Sequence, residues 1–344
     1  MLNKMFRASV VLLLLPLAVT GCTFGPEKHT SRPIDPPPAN ANPVAAKQAE
    51  SPKETSKTEL YFLSDSGYVV PYALNIPLSK GRAIARDALS LMVKGGAGES
   101  MIPDGFSPIL PKGTQLKGLN IQDGTATVDF SKEFLNYDPG QEEKMLEAVT
   151  WTLTGFPQVK EVNIWVEGKP IAVMPKKKTP AQGLTRENLG INLEVAEGTE
   201  MNRSMPVTLY FLGQTPDNKV YYVPVTRMVN ETSNAAEVTI KELIKGPRQD
   251  ADLSGALDSD TEVNKIQVKG DTVFADFGEQ LLEYGNRSAS KDALQTIVLS
   301  LTENTGYKKV KLSVNGKQNI MAAGEKDLLD QPVTRPKFVN PQSL

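Results

Sequence analysis

Histidine and cysteine are nearly missing from this chain: its 344 residues include one of each, His29 and Cys22. Everything after residue 29 therefore lacks both imidazole and thiol. Ser-His-Asp and Cys-His nucleophile systems are closed to it, as are zinc sites built on His and Cys. A single cysteine also cannot form an internal disulfide. Beyond residue 21 no stretch approaches the roughly 20 apolar residues that a membrane-spanning helix needs. Nor is there an excess of positive charge. The formal net charge is -2, whereas a nucleic-acid partner asks for a basic face. Only carboxylate, lysine and tyrosine chemistry remains for catalysis, and no metal or cofactor is expected.

What is present begins at the N-terminus. Lys4 and Arg7 precede an apolar run from Ala8 to Thr20, which is too short for a permanent span. Val19-Thr20-Gly21-Cys22 follows and resembles the lipobox of bacterial lipoproteins, in which small residues precede a cysteine whose thiol is acylated. Residues 1–21 are read as a signal peptide and Cys22 as the lipid attachment site. The resemblance implies a diacyl or triacyl cysteine carrying palmitate-type chains, a stable anchor where one chain is marginal. Losing Lys4 and Arg7 takes the net charge from -2 to -4. Residues 22–56 are rich in Pro, Ala, Lys, Glu and Ser and read as a flexible linker. As a coil it spans on the order of 30 Å, and fully extended about 100 Å.

The rest of the chain repeats itself. Leu60-Tyr61-Phe62-Leu63 returns as Leu209-Tyr210-Phe211-Leu212, and Val69-Val70-Pro71 as Tyr222-Val223-Pro224. Lys94-Gly95 returns as Lys245-Gly246, and Thr125–Phe130 as Thr272–Phe277 with Asp129 matching Asp276. Val166-Glu167-Gly168-Lys169 returns as Val314-Asn315-Gly316-Lys317, and Thr185-Arg186 as Thr334-Arg335. A period near 150 residues is domain-sized, which predicts two tandem domains, 57–195 and 196–344. Ile191–Val195 is a candidate last strand of the first.

Within a copy, alternation predicts a hairpin through Ser64-Asp65-Ser66-Gly67, or Pro216-Asp217-Asn218 in copy two. A helix follows, with Ser79 as N-cap, Ile84, Ala88, Leu91 and Met92 on one face, and Gly95 as C′. A second hairpin turns at Asp123-Gly124. A second helix carries Met145, Val149 and Leu153, or Ala293, Leu294, Ile297, Val298 and Leu301. Val162–Val166, or Val310–Val314, closes the unit. The class is α+β, β-β-α-β-β-α-β twice, with a mixed sheet and helices on one face.

Few residues invite a chemical role. Asp129 and Asp276 each follow a strand and are expected to cap or orient the short helical segments beginning nearby, at Ser131 and Gly278. Glu142 and Glu143 are adjacent, so on a helix they diverge and do not form the spaced acid pair of a glycosidase. Lys176-Lys177-Lys178 reads as a solvated run. Tyr61 and Tyr210 read as core or sheet-face residues. Trp151 and Trp165 occur in copy one only, against Leu299 and Ser313 in copy two, and Trp165 is the candidate exposed partner contact.

The ordered Leu-Tyr-Phe-Leu, Lys-Gly, Asp-Phe and Gly-Lys elements, present twice, resemble GerMN domains. The resemblance implies a fold akin to the ring-building domains of secretion-type assemblies. It also implies a non-enzymatic sporulation and germination role for a lipid-anchored protein on the extracytoplasmic face of the cell membrane. Its expected place is the sporulation septum, among proteins of the complex bridging mother cell and forespore. Surface patches and exposed strand edges would supply the binding, with self-association among the expected contacts. A peptidoglycan-binding lipoprotein is the alternative, and a carboxylate-dependent wall hydrolase a weaker one.

Overall fold

The computed structural model describes residues 55–78, 83–282, 288–318, 320–323 and 331–341. Cys22 and Ser79 lie outside the described residues. Copy one comprises β1 (Thr55–Ser64), β2 (Val69–Pro77), α1 (Ile84–Leu91), β3 (Phe106–Ser107), β4 (Leu116–Gln122), β5 (Thr125–Phe130), α2 (Glu142–Leu153), β6 (Glu161–Val166) and β7 (Lys169–Pro170). A connection with α3 (Arg186–Leu189) and β8 (Glu194–Val195) leads to copy two. There follow β9 (Ser204–Gln214), β10 (Val220–Asn230), α4 (Ala235–Lys245), β11 (Val263–Lys269), β12 (Thr272–Phe277), β13 (Ser288–Ala289), α5 (Lys291–Thr305), β14 (Lys309–Val314), β15 (Met321–Ala322) and β16 (Val333–Thr334). The expected α+β class and element order are found in both copies. β1 starts at Thr55, inside the stretch read as linker.

Apart from the short parallel pair β13-β15 of copy two, each copy divides its strands between two sheets. One is a long antiparallel hairpin, β1 with β2 and β9 with β10. The other is mixed, in the orders β4-β5-β6-β7 and β11-β12-β14-β16, with a parallel central pair. Even the irregularities repeat: the ladder slips between Leu116 and Gly118, and between Val263 and Lys265. The turn at Asp123-Gly124 has both residues at positive φ, 51° and 87°, the pairing that a two-residue hairpin loop of matching twist requires.

The second helix touches both sheets of its copy. α2 packs on β1, β2 and β6, and α5 on β9 and β14. Burial on several sides replaces the single apolar stripe expected from the sequence: besides Met145, Val149 and Leu153, Thr150, Trp151 and Thr152 are also buried. The hydroxyls on that helix serve the hairpin. Tyr61 N–H donates to Thr152 Oγ1 (3.2 Å), and Tyr210 N–H donates to Ser300 Oγ (3.0 Å). These amides lie on the hairpin edge away from the partner strand, where an unpaired donor would cost stability. Farther along the β9 edge, Asn304 pairs with Thr208 and Ser254 with Leu212. The strand edges proposed for partner binding are thus substantially closed from within.

Two local expectations are corrected. Gly95 is not the C′ residue of α1, which ends at Leu91 with Met92 as its C-cap; Gly95 instead makes a left-handed turn two residues beyond Val93, with φ 74°. In copy two Gly246 does terminate the helix, with φ 77°. Ile191–Val195 does not finish copy one. Glu194 and Val195 run parallel to β10, opposite Arg227 and Met228, and Thr226 N–H donates to the Ile191 carbonyl. The outer edge of β10 offers unpaired backbone groups, and the connecting segment satisfies them.

Residues 52–344 form one compact unit. One hydrophobic core runs through both copies, from Leu60 and Val128 to Leu209 and Val273. Phe106 of copy one meets Tyr221 of copy two edge-on, with ring centroids 4.9 Å apart. No helix among the described residues is long and apolar enough to cross a membrane.

Candidate functional site

The residues that converge most strongly lie where the copies meet, and two asparagines organise that joint. Asn192 Oδ1 accepts from Val69 N–H (2.8 Å), and its amide donates to the carbonyls of Val69 and Pro224, both at 2.8 Å. Asn340 repeats the arrangement with the copies exchanged. Its Oδ1 accepts from Tyr222 N–H (2.9 Å), and its amide donates to the carbonyls of Tyr222 and Pro71, both at 2.8 Å. Val69 and Tyr222 are equivalent in the repeat, as are Pro71 and Pro224. The pattern is therefore a local pseudo-twofold in which each side chain staples β2 to β10. The proline explains why a side chain is needed: with no N–H, Pro71 and Pro224 cannot take part in an ordinary strand ladder.

The second device is charged. Arg186 Nη1 lies 2.9 Å from Glu303 Oε1, and Arg335 Nη2 lies 2.6 Å from Glu303 Oε2. Each arginine also binds the second helix of its own copy, Arg186 at the C-terminal turn of α2 and Arg335 within the second half of α5. Arg186 reaches the Trp151 carbonyl and Thr154 Oγ1; Arg335 reaches the Leu299 carbonyl and Thr302 Oγ1. At the end of α2 the Arg186 cation complements the helix dipole. The buried Tyr210 hydroxyl joins by donating to Glu303 (3.1 Å) and accepting from Arg335 (2.7 Å). Burial alone would raise the Glu303 pKa, but the two guanidiniums and these hydrogen bonds bring it below its ordinary value. Glu59, whose carboxylate accepts from Val339 N–H, is raised mainly by burial.

The residues singled out from the sequence fare differently. Asp129 and Asp276 do not cap the turns after their strands. Each carboxylate accepts the N–H of a turn glycine across the sheet, Gly168 at 3.0 Å and Gly316 at 2.8 Å. The repeated Asp-Phe and Gly-Lys elements are thus the two ends of one contact. The turns that they were expected to cap begin at Ser131 and Gly278 without a side-chain cap.

Glu142 is fully buried and accepts from the Tyr137 hydroxyl, the backbone N–H groups of Lys176, Lys177 and Thr179, and the Thr179 hydroxyl. Burial acts to raise its pKa, but these donors win and hold it at about 2. The backbone of the lysine run wraps this anion, while the three lysines themselves remain exposed. Glu143 pairs with Lys177 at the surface. Tyr61, Tyr210 and Trp151 are core residues, and Trp165 is half-buried on the outward face of β6, opposite Asp129. The described residues include no group of three His, Cys, Asp or Glu placed to hold a metal. A cleft of about 620 Å³ between Asp65-Ser66 and Gly213–Pro216 has largely polar walls and no converging reactive groups.

One buried acid couples the joint to pH. Glu147 on α2 accepts from Asn192 N–H (3.0 Å), and burial raises its pKa to about 7. The folded state then holds a proton that the unfolded chain releases near pH 4.5, so stability falls as pH rises from about 4.5 to 7. Glu147→Gln is expected to flatten this dependence and to stabilise the protein by about 2–3 kcal/mol at pH 8. Urea titrations across that range check it, and an unchanged slope would refute it.

Comparison with known proteins agrees with this architecture. The chain is 36% identical over 355 residues to the spore germination protein GerM of Bacillus subtilis (strain 168), covering 95% of each. The structure is similar to the tandem GerMN domains of the sporulation protein GerM from Bacillus subtilis. The TM-score is 0.77 at 35% identity, covering 83% of this chain and 99% of that one. The first GerMN domain of the same protein matches at 39% identity and TM-score 0.36, over 38% of this chain and 98% of that one. Residues 59–172 and 208–320 each match the Germane family, described as sporulation and spore germination, so the chain belongs to that family of tandem GerMN-domain proteins.

Proposed function

We propose that the protein is a non-enzymatic, lipid-tethered assembly factor of the sporulating cell envelope. It would hold two GerMN domains as one rigid body on the outer side of the membrane and dock proteins of the mother cell–forespore complex. The observation that carries this reading is how the converging polar groups are used. Arg186, Arg335, Glu303, Tyr210, Asn192 and Asn340 all bond one copy to another part of the same fold. None is left over to serve a substrate, whereas a rigid two-domain body suits a protein that works by surface complementarity. Cys22 and the linker supply the tether.

Cross-linking in sporulating cells followed by pull-down tests this reading. Proteins of the mother cell–forespore complex are expected with the wild-type chain and reduced with Cys22→Ala; recovery of none would overturn it. Half-exposed Trp165 favours a second reading, wall-glycan binding. Pelleting with purified peptidoglycan, reduced by Trp165→Ala, would be its result.

A further inference from the structure

The outward face of the copy-two mixed sheet carries a charge pattern that the same face of copy one lacks. Lys265, Gln267 and Lys269 of β11 stand opposite Asp276, Phe274 and Thr272 of β12. Those in turn stand opposite Ser313, Lys311 and Lys309 of β14. Residues directly opposite share a face. Their neighbours Val273, Ala275, Val310 and Leu312 point the other way and are buried in the core, so this set faces outward. Four lysines therefore surround a half-buried Phe274, with the Lys269 ammonium 5.4 Å from the Phe274 ring centroid.

In copy one the register is the same, but the four lysine positions are Gly118, Gln122, Glu161 and Asn163. Those positions carry +4 in one copy and -1 in the other. Asp276 is common to both faces as Asp129, and Asp271 at the rim pairs with Lys309 at 2.8 Å. The whole chain is weakly acidic, so this patch does not follow from overall composition.

We propose that this face is a docking surface for the anionic phospholipid headgroups of a bilayer. The lysines stand on two strands flanking a central one. They spread over an open sheet at strand spacings of roughly 5 Å, where a groove for a single extended polymer would line them along one track. Each lysine held at an anionic surface strengthens binding roughly fivefold. The proposal rests on the tethered reading in one respect. A linker from Cys22 that reaches at most about 100 Å keeps the face near the membrane, at high effective concentration. The lipid then anchors the protein, and the basic face sets its orientation.

Residues 52–344 form a compact unit of their own, so the test needs no lipid on Cys22 and its failure would leave the tether reading untouched. This fragment is floated with vesicles of one-third phosphatidylglycerol in phosphatidylcholine, and with phosphatidylcholine alone. Binding is expected only to the anionic vesicles, and to be abolished at molar salt, where screening reaches about 3 Å. The combined Lys265→Gln, Lys269→Gln, Lys309→Gln and Lys311→Gln variant should lose on the order of a hundredfold or more. A Lys176→Gln, Lys177→Gln, Lys178→Gln variant should retain its affinity. If the fourfold variant melts early, Lys269→Glu alone must still weaken binding tenfold or more. Wild-type protein that ignores anionic vesicles, or a folded fourfold variant that binds as before, would overturn the proposal. So would binding to purified anionic wall polymer with none to vesicles.

Discussion

Glu303→Ala is expected to destabilise the folded chain by about 3–5 kcal/mol, the largest single-residue effect we predict outside the hydrophobic core. The carboxylate is 14% exposed and takes one guanidinium on each oxygen. Its removal would leave Arg186 and Arg335, each already bonded to a second helix, with an uncompensated pair of charges. The Tyr210 hydroxyl would lose its acceptor inside a packed cluster of Leu299 and Val339. Position 303 corresponds to Gly155 in copy one, so the repeat offers no second carboxylate to substitute. Urea denaturation measures the effect: the midpoint should fall with the slope unchanged, since the surface exposed on unfolding is the same. A loss below 1 kcal/mol would show that the cluster is screened by solvent and contributes little.

Asn192→Gly and Asn340→Ala should each cost about 2–4 kcal/mol, because each side chain makes three hydrogen bonds to strands of both copies. Glycine suits position 192 because the backbone there has φ 49°, which alanine would resist. The sharper expectation concerns the pair. Both side chains span the same two strands, so once one staple is gone the other holds a looser joint. The double variant should therefore depart from additivity by 0.5 kcal/mol or more. Strict additivity in a double-mutant cycle would mean that β2 and β10 are held by packing alone.

Much of this was legible in the sequence because it repeats. Six matched elements placed both hairpins, both helices of each copy and the class of the fold, since local periodicity and turn chemistry act over a few residues at a time. The asparagine staples were missed, although a signal was present. The matched Thr185-Arg186 and Thr334-Arg335 continue to Ile191-Asn192 and Val339-Asn340 once a one-residue difference in spacing is allowed. The caps assigned to Asp129 and Asp276 were misplaced because their acceptors serve glycines some 40 residues later. Sequence proximity favours the local partner, but sheet pairing supplies a nearer one in space.

By itself the sequence determined that there are two like domains and that imidazole and thiol chemistry is closed to them. Only the tertiary structure decided that the two domains form one body. It likewise decided which copy owns Glu194 and Val195, and that four lysines scattered over 47 residues share one face. Composition and periodicity report on what a segment can do with its own neighbours. The joint and the basic face depend on long-range strand register, in which partners far apart in the chain are chosen by unsatisfied backbone groups and by the shape of the shared core.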